Sequence, residues 1–281
     1  MKFGIIVDSG CDLRMIEDSE KSDIYYQRVA LTLRVGEVEY VDDDKLNISE
    51  FMSDMKSYTG TTSSAAPAPM EWYDAFMAAD EIFAITLTSQ LSGSYNSAMT
   101  AKKMILEEHP DKKIYVIDSK AAGSGLTILV YKLKELILKG LSFEEIKEEI
   151  EDYQKRTNLF FILESFDNLI KNGRVSKFQA SMAGILGIKL LCGASEQGTI
   201  EVLKKYRGKL TVYEKMLQEM AARGFRGGKV VISHCFNPEK VQYIEKIIRE
   251  KFPKTPIDVM PTGGLCSYYA ERGGIILTFE C

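Results

Sequence analysis

The 281-residue sequence is poor in the residues that most metal and acid–base sites require. Its five cysteines, Cys11, Cys192, Cys235, Cys266 and Cys281, are odd in number and widely scattered, with no C-x-x-C pair among them. That pattern argues against a zinc ribbon or a disulfide framework, and free thiols fit a reducing cytoplasm, the expected location. Two histidines occur. His109, in EEHPDK, reads as a helix end before a proline, and His234 follows the strand-like KVVIS. Both read as structural. Neither sign of charge dominates, with 36 basic and 40 acidic side chains. Nothing therefore points to nucleic acid or to a charged disordered tail. The apolar run in MKFGIIVDSG is too short for a signal peptide or a membrane span and reads as a first buried strand.

Several motifs are missing too. No G-x-x-x-x-G-K-[ST] occurs, and neither G-x-S-x-G nor H-E-x-x-H is present. Gly123-Ser124-Gly125 starts a G-x-G-x-x-G but lacks the third glycine and an acidic ribose partner. P-loop, α/β-hydrolase, zincin and dinucleotide-binding chemistry lose their usual signatures. Ser92 as a nucleophile would need a base, and His234 is the one candidate near a strand end.

What remains is an ordinary globular composition, 45% hydrophobic and 27% charged, without repeats or low-complexity tracts. Strands are expected at Lys2 to Val7, Ile82 to Leu87 and Lys113 to Ile117. They alternate with helical patterns: a short one at Phe51, Met52 and Met55; one opened by Pro67 and Pro69 with Tyr73, Phe76 and Met77 on its apolar face; and one through Tyr95, Ala98, Met99, Ile105 and Leu106. Leu126 to Ile137 keep one helical face, and Ser142 with Glu145 forms a capping box for a helix carrying Ile146, Ile150 and Tyr153. Such alternation predicts a parallel sheet with crossover helices. Beyond residue 158 the pattern becomes α+β. LFFIL reads as a strand, SKFQASMAGIL as a helix, and IKLLCGA with TIEVLKKYRG as a hairpin-like pair. A helix from Leu210 to Arg223 follows, then the strand KVVISH. Asn237-Pro238 caps a helix from Glu239 to Lys251, and strands close the chain near Pro256 to Met260 and Ile275 to Glu280. The reading divides the chain into an N-terminal α/β domain, 1–158, and a C-terminal α+β domain, 159–281.

Three N-terminal strands run into small polar residues: Asp8-Ser9-Gly10-Cys11-Asp12, Thr88-Ser89-Gln90-Leu91-Ser92-Gly93-Ser94, and Asp118-Ser119-Lys120 with Gly123-Ser124-Gly125. A fourth segment, Gly60 to Ser64, is similar. In a parallel sheet these ends share one edge. Unpaired helix N–H groups, close glycine backbone and neutral hydroxyls there suit an anion, a carboxylate or a phosphate. Each segment taken singly also fits helix capping alone.

These segments form a series that resembles the DegV family of bacterial fatty-acid-binding proteins. Thr62-Ser63-Ser64-Ala65-Ala66-Pro67 resembles T-S-Q-P-S-P, and Leu91 to Ala98 resembles L-S-G-T-Y-x-S-A. Val116 to Ser119 looks like V-I-D-S, Leu169 to Lys177 is similar to L-x-x-G-G-R-I-S-K, and Ile188-Lys189 to I-K-P. The resemblance runs in order nearly end to end. It implies a two-domain α/β protein with a long-chain fatty acid in an apolar tunnel, its carboxylate held by Thr62 and Ser92. Gly93 would leave room, Ser94 would cap the helix, and Arg174 would be a cationic neighbour. Ser63, Ser119 and Ser267 complete the expected set, with Cys266 standing where the family carries a histidine. The resemblance further implies no cofactor beyond the bound acid, no catalysis by the chain itself, presentation of the acid to a fatty acid kinase, and room for transient membrane contact. A serine hydrolase acting on a lipid ester and a phosphate-ligand-binding protein are the alternatives. For an acyl chain of about sixteen carbons, burial offers on the order of 12 kcal/mol before ordering costs, so the tail would dominate affinity and the head would set orientation.

Overall fold

The computed structural model describes residues 2–16, 23–175, 188–208 and 211–281. All six residues of β1 (Phe3–Asp8) are buried, the pattern of a central strand covered on both faces. It pairs in parallel with β2 (Ile24–Val29) and β6 (Glu81–Thr86), and β7 (Lys113–Asp118) extends the sheet in the order β2-β1-β6-β7. Side chains alternate across it. Ile6, Ile82 and Ala84 point to one face, where α2 (Pro69–Phe76) and α3 (Ser94–Glu108) cover them. Ile5, Val7, Phe83 and Ile85 point to the other, toward α4 (Ser124–Leu138) and α5 (Phe143–Lys155).

Two details of helix packing differ from the sequence reading. In α2 the buried residues are Trp72, Ala75 and Phe76, while Met77 lies past the helix end and is 44% exposed. In α3 Ala98, Ala101 and Ile105 face the sheet and Met99 turns outward. Periodicity alone is nearly indifferent to a one-residue rotation, and the bulk of Trp72 fixes it by filling the space beside Phe76. The capping box forms as expected: Ser142 N donates to Glu145 Oε2 at 2.8 Å, and Ser142 Oγ accepts from Glu145 N.

Four strands fall outside the expected set: β2 joins the parallel sheet, and the other three build a second, small sheet. It comprises β3 (Thr32–Val35), β4 (Val38–Val41) and β5 (Thr62–Ala65), antiparallel in the order β4-β3-β5, and α1 (Ile48–Ser57) lies between β4 and β5 in the chain. The polar segment at Thr62 to Ser64 is thus a strand rather than a helix-opening turn.

The C-terminal half forms a six-stranded mixed sheet from β8 (Thr157–Ile162), β9 (Ile188–Ala194), β10 (Ile200–Arg207), β11 (Val230–His234), β12 (Ile257–Pro261) and β13 (Ile275–Glu280), in the order β10-β9-β8-β13-β11-β12. Only β11 and β12 pair in parallel. One face carries α7 (Thr211–Ala222) and α8 (Pro238–Lys251) over Phe160, Leu191, Ile232 and Phe279. The opposite face presents Phe161, Leu163, Leu190 and Ile276, met by α6 (Asp167–Lys171) and α9 (Gly264–Ala270). The expected helix over 176–186 lies outside the described residues, as does the first residue of the helix expected from Leu210. Asn237 does not cap α8 with its side chain; Nδ2 donates to Gly273 O at 2.7 Å instead.

Candidate functional site

Between the parallel sheet's strand ends and the face of the six-stranded sheet that α6 and α9 meet lies a cavity of about 140 Å³. That is far more than the roughly 10–15 Å³ one water needs. Its walls are mainly aliphatic and aromatic: Leu87 and Leu91 from one side, Leu159, Phe161, Leu163 and Ile276 from the other. A polar end is built from Ser92 and Gly93 before α3, Ser64 on β5, Tyr269 on α9, and Arg174 after α6. Thr88, Lys120 and the β9–β10 turn at Gly198 and Thr199 complete the lining.

Each polar group has an identifiable posture. Ser92 Oγ accepts from Ser94 N at 3.2 Å, which leaves its own proton free to be donated. Ser64 Oγ and Tyr269 Oη share a hydrogen bond of 2.8 Å. Burial pushes the Tyr269 phenol up, against the Ser64 hydrogen bond and the nearby Arg174 charge. Arg174 donates Nε to Leu91 O at 3.3 Å and Nη1 to Asn172 O. The guanidinium therefore sits beside the residue that precedes Ser92. Among the described residues no group of three or more His, Cys, Asp or Glu could hold a metal.

Of the nine residues expected to bind a ligand, Ser92, Gly93, Arg174 and Cys266 line this cavity, and five do not. Thr62 is buried behind Tyr268, sharing a 2.7 Å hydrogen bond with its hydroxyl, which also accepts from Asn172 Nδ2 at 2.8 Å. Ser63 points to the opposite face of β5 from Thr62 and Ser64, as strand alternation requires. Ser94 does not cap α3; its hydroxyl donates to Asp8 Oδ2 at 2.6 Å, and Gly93 takes the cap position. Ser119 Oγ closes its own turn, accepting from Ala121 N at 3.1 Å. Ser267 Oγ pairs with Thr262 Oγ1 at 2.7 Å, fully buried. Cys266 reaches the cavity, but its thiol bonds Gly10 O at 3.4 Å, and burial pushes it well above the ordinary thiol range.

Sequence reasoning missed Ser64 and Tyr269 as site residues. Ser64 was legible in principle, because it stands two residues from Thr62 and so shares its face of a strand. Tyr269 carried no local signal. The polar strand end Asp8 to Asp12 also carries two carboxylates, and neither lines the cavity. Asp8 accepts from Gly10 N at 3.0 Å, Leu87 N at 2.8 Å and the Ser94 hydroxyl. Asp12 Oδ1 accepts from Gly263 N at 2.8 Å, and Asp42 accepts from Gly264 N and Leu265 N, each at 2.8 Å. The three carboxylates thereby tie both cavity walls to the end of β1 and to the strand-flanking loops. Desolvation raises all three, to about 7 for Asp8 and about 6 for Asp12.

One glycine is demanded by close approach. Gly198 has φ 89°, and a Cβ there would lie 2.3 Å from Thr88 Oγ1. The same contact lets Thr88 Oγ1 donate to Gly198 O at 2.9 Å, docking the β9–β10 turn on the strand end after β6.

His234 does not serve Ser92. It lines no part of the cavity, and its Nδ1 accepts from Asn237 N at 3.1 Å. Burial lowers its pKa. A Ser–His couple for ester hydrolysis is not assembled.

Fold and site together define an α/β protein with an apolar cavity, lined in one part by neutral hydroxyls and a guanidinium. The model of the DegV family matches residues 2–280, and the chain belongs to that family. A DegV domain-containing protein of Streptococcus gordonii is 43% identical over 280 residues, covering 100% of this chain and 99% of that one. Among solved structures, the Streptococcus pneumoniae Fatty Acid Kinase (Fak) B3 protein loaded with linoleic acid superposes with a TM-score of 0.95 at 42% identity, covering 100% of this chain and 99% of that one. A DegV family protein of Eubacterium eligens loaded with heptadecanoic acid gives a TM-score of 0.93 at 39% identity, with 99% of each chain covered. One from Ruminococcus gnavus, refined with vaccenic acid, gives 0.91 at 32% identity, covering 98% of this chain and 99% of that one.

Proposed function

We propose that this protein binds a long-chain fatty acid in the cavity and carries it, without transforming it, to a separate acyl kinase. The tail lies along the leucine, isoleucine and phenylalanine walls, and the carboxylate meets the Ser92 hydroxyl near Arg174. The observation that carries this reading is the polarity of the cavity: apolar walls ending in hydroxyl donors and the Arg174 guanidinium, with no histidine or carboxylate in the lining. That end suits an anion's oxygens, and the walls suit methylenes. The relatives solved with linoleic, heptadecanoic and vaccenic acids support the ligand class, and the name of the first supports a kinase partner.

Three of the five expected residues outside the lining take supporting roles. Thr62 orients Tyr268 beside Asn172 and the head-group end. Ser94, through Asp8, fixes the loop that presents Ser92, and Ser267 braces the turn before α9. The cavity lies between the parallel sheet's strand ends and the six-stranded sheet, which begins at Thr157, just ahead of the expected division at 158, and separation of the two sheets is part of this reading as the route for ligand exchange.

Denaturing mass spectrometry of an organic extract, followed by titration of delipidated protein with palmitate, tests the reading. Acid in the extract and saturable binding are expected. An extract without lipid, together with no binding by the delipidated protein, rules the reading out.

A further inference from the structure

The polar part of the cavity lining contains one hydroxyl pair outside the residues that the resemblance assigns to the ligand. Ser64 stands where the T-S-Q-P-S-P element has glutamine. Its hydroxyl is joined at 2.8 Å to that of Tyr269, 205 residues away in sequence, and both residues line the cavity. Two hydroxyls carry two protons, and the bond between them uses one. Whichever oxygen donates, the pair retains one O–H with no partner among the described residues. Ala66, two residues along from Ser64, lies 3.7 Å from where a Cβ on Gly93 would be, so this strand end abuts the Ser92 loop. Arg174 is close enough to both Leu91 and Tyr269 to bond the first and bias the second.

We infer that the Ser64–Tyr269 pair is a second anchor for the ligand's head group, placed to donate to one carboxylate oxygen while Ser92 donates to the other; the inference rests on the fatty-acid reading. A carboxylate offers two oxygens with about four lone-pair sites, so two hydroxyl donors and a nearby guanidinium are all accommodated. An alcohol offers one neutral oxygen and gains less, since hydrogen bonds to an ionised acceptor are about twice as strong. The pair is therefore a selectivity device that favours the free acid over its neutral derivatives. Ser64 acts by orienting the phenol or by relaying its proton, so the two side chains work as a unit.

The test compares palmitate with hexadecanol on delipidated full-length protein, using wild type, Tyr269→Phe, Ser64→Ala and the double variant. Tyr269→Phe is expected to weaken palmitate about tenfold while changing hexadecanol less than about threefold. Ser64→Ala is expected to weaken palmitate by less, and the double variant to be no worse than Tyr269→Phe alone. Unchanged palmitate affinity in Tyr269→Phe overturns the inference and leaves the fatty-acid reading standing, as does an equal loss for both ligands, which would mean the ring only shapes the cavity. Additive losses in the double variant also overturn it. Failure of the wild type to bind palmitate removes the fatty-acid reading and this inference with it. Ser64→Ala, on a partly exposed strand, keeps the comparison available if the phenylalanine variant does not fold.

Discussion

The Ser94 hydroxyl donates to the fully buried Asp8 carboxylate at 2.6 Å, bridging the end of the first strand and the loop that presents Ser92. Asp8 Oδ2, the oxygen that accepts this bond, also accepts from Leu87 N at 2.8 Å. One side chain thus locks β1, the end of β6 and the start of α3 together. Replacing Ser94 by alanine removes a hydrogen bond to a buried charge-bearing group, and a loss of about 1.5–3 kcal/mol is expected in urea unfolding. Palmitate affinity should fall as well, because the Ser92 loop loses its tether.

Ser92→Ala removes the donor itself. Among the described residues its hydroxyl makes one hydrogen bond, accepted from Ser94 N, so the fold has little to lose. Affinity for a long-chain fatty acid is expected to drop about tenfold with the unfolding midpoint nearly unchanged. Calorimetric titration measures it, and full affinity would remove Ser92 from the head-group site.

Gly198→Ala forces a methyl group against Thr88 Oγ1 at a position whose φ of 89° already disfavours side chains. The β9–β10 turn must lift from the strand end. A destabilisation of about 1–3 kcal/mol is expected, with faster ligand release as that part of the cavity wall opens. Stopped-flow displacement of a fluorescent fatty acid reads the release rate.

The pH dependence follows from the buried aspartates. Burial raises Asp8 from 3.8 to about 7 and Asp12 from 3.8 to about 6, so each holds its proton more tightly folded than unfolded. Their contribution is complete below the ordinary aspartate value and is lost as pH rises through those folded values. The thermal midpoint is expected to be lower at about pH 8 than at about pH 5 by several degrees. Asp8→Asn should flatten part of that slope, whatever it does to the midpoint itself. A midpoint that rises over the same range would show that these groups are ionised at little cost.

Hydrolysis is expected to be absent. With His234 Nδ1 occupied by Asn237 N and the ring away from the cavity, Ser92 has no histidine or carboxylate base among the described residues that line the cavity. A fluorophosphonate probe should leave Ser92 unlabelled, and His234→Ala should leave palmitate affinity unchanged. Labelling at Ser92 would revive the esterase alternative.

The amino-acid sequence by itself determined three of the parallel sheet's four strands; β2, IYYQRV, is no apolar run and escapes that reading. The three are apolar runs bounded by turn residues, the sheet's helices keep a period of 3.6, and both signals are local. It also determined that hydroxyls and a glycine would gather at Ser92, because that motif is contiguous. Only the tertiary structure decided which hydroxyls face the cavity. Thr62 is hidden by a tyrosine 206 residues away, Ser94 is claimed by Asp8, and Ser64 gains its partner from the last helix. The physical reason is that a hydroxyl's role depends on which donor or acceptor reaches it first, and in this chain those partners come from distant segments that meet only when the sheets pack.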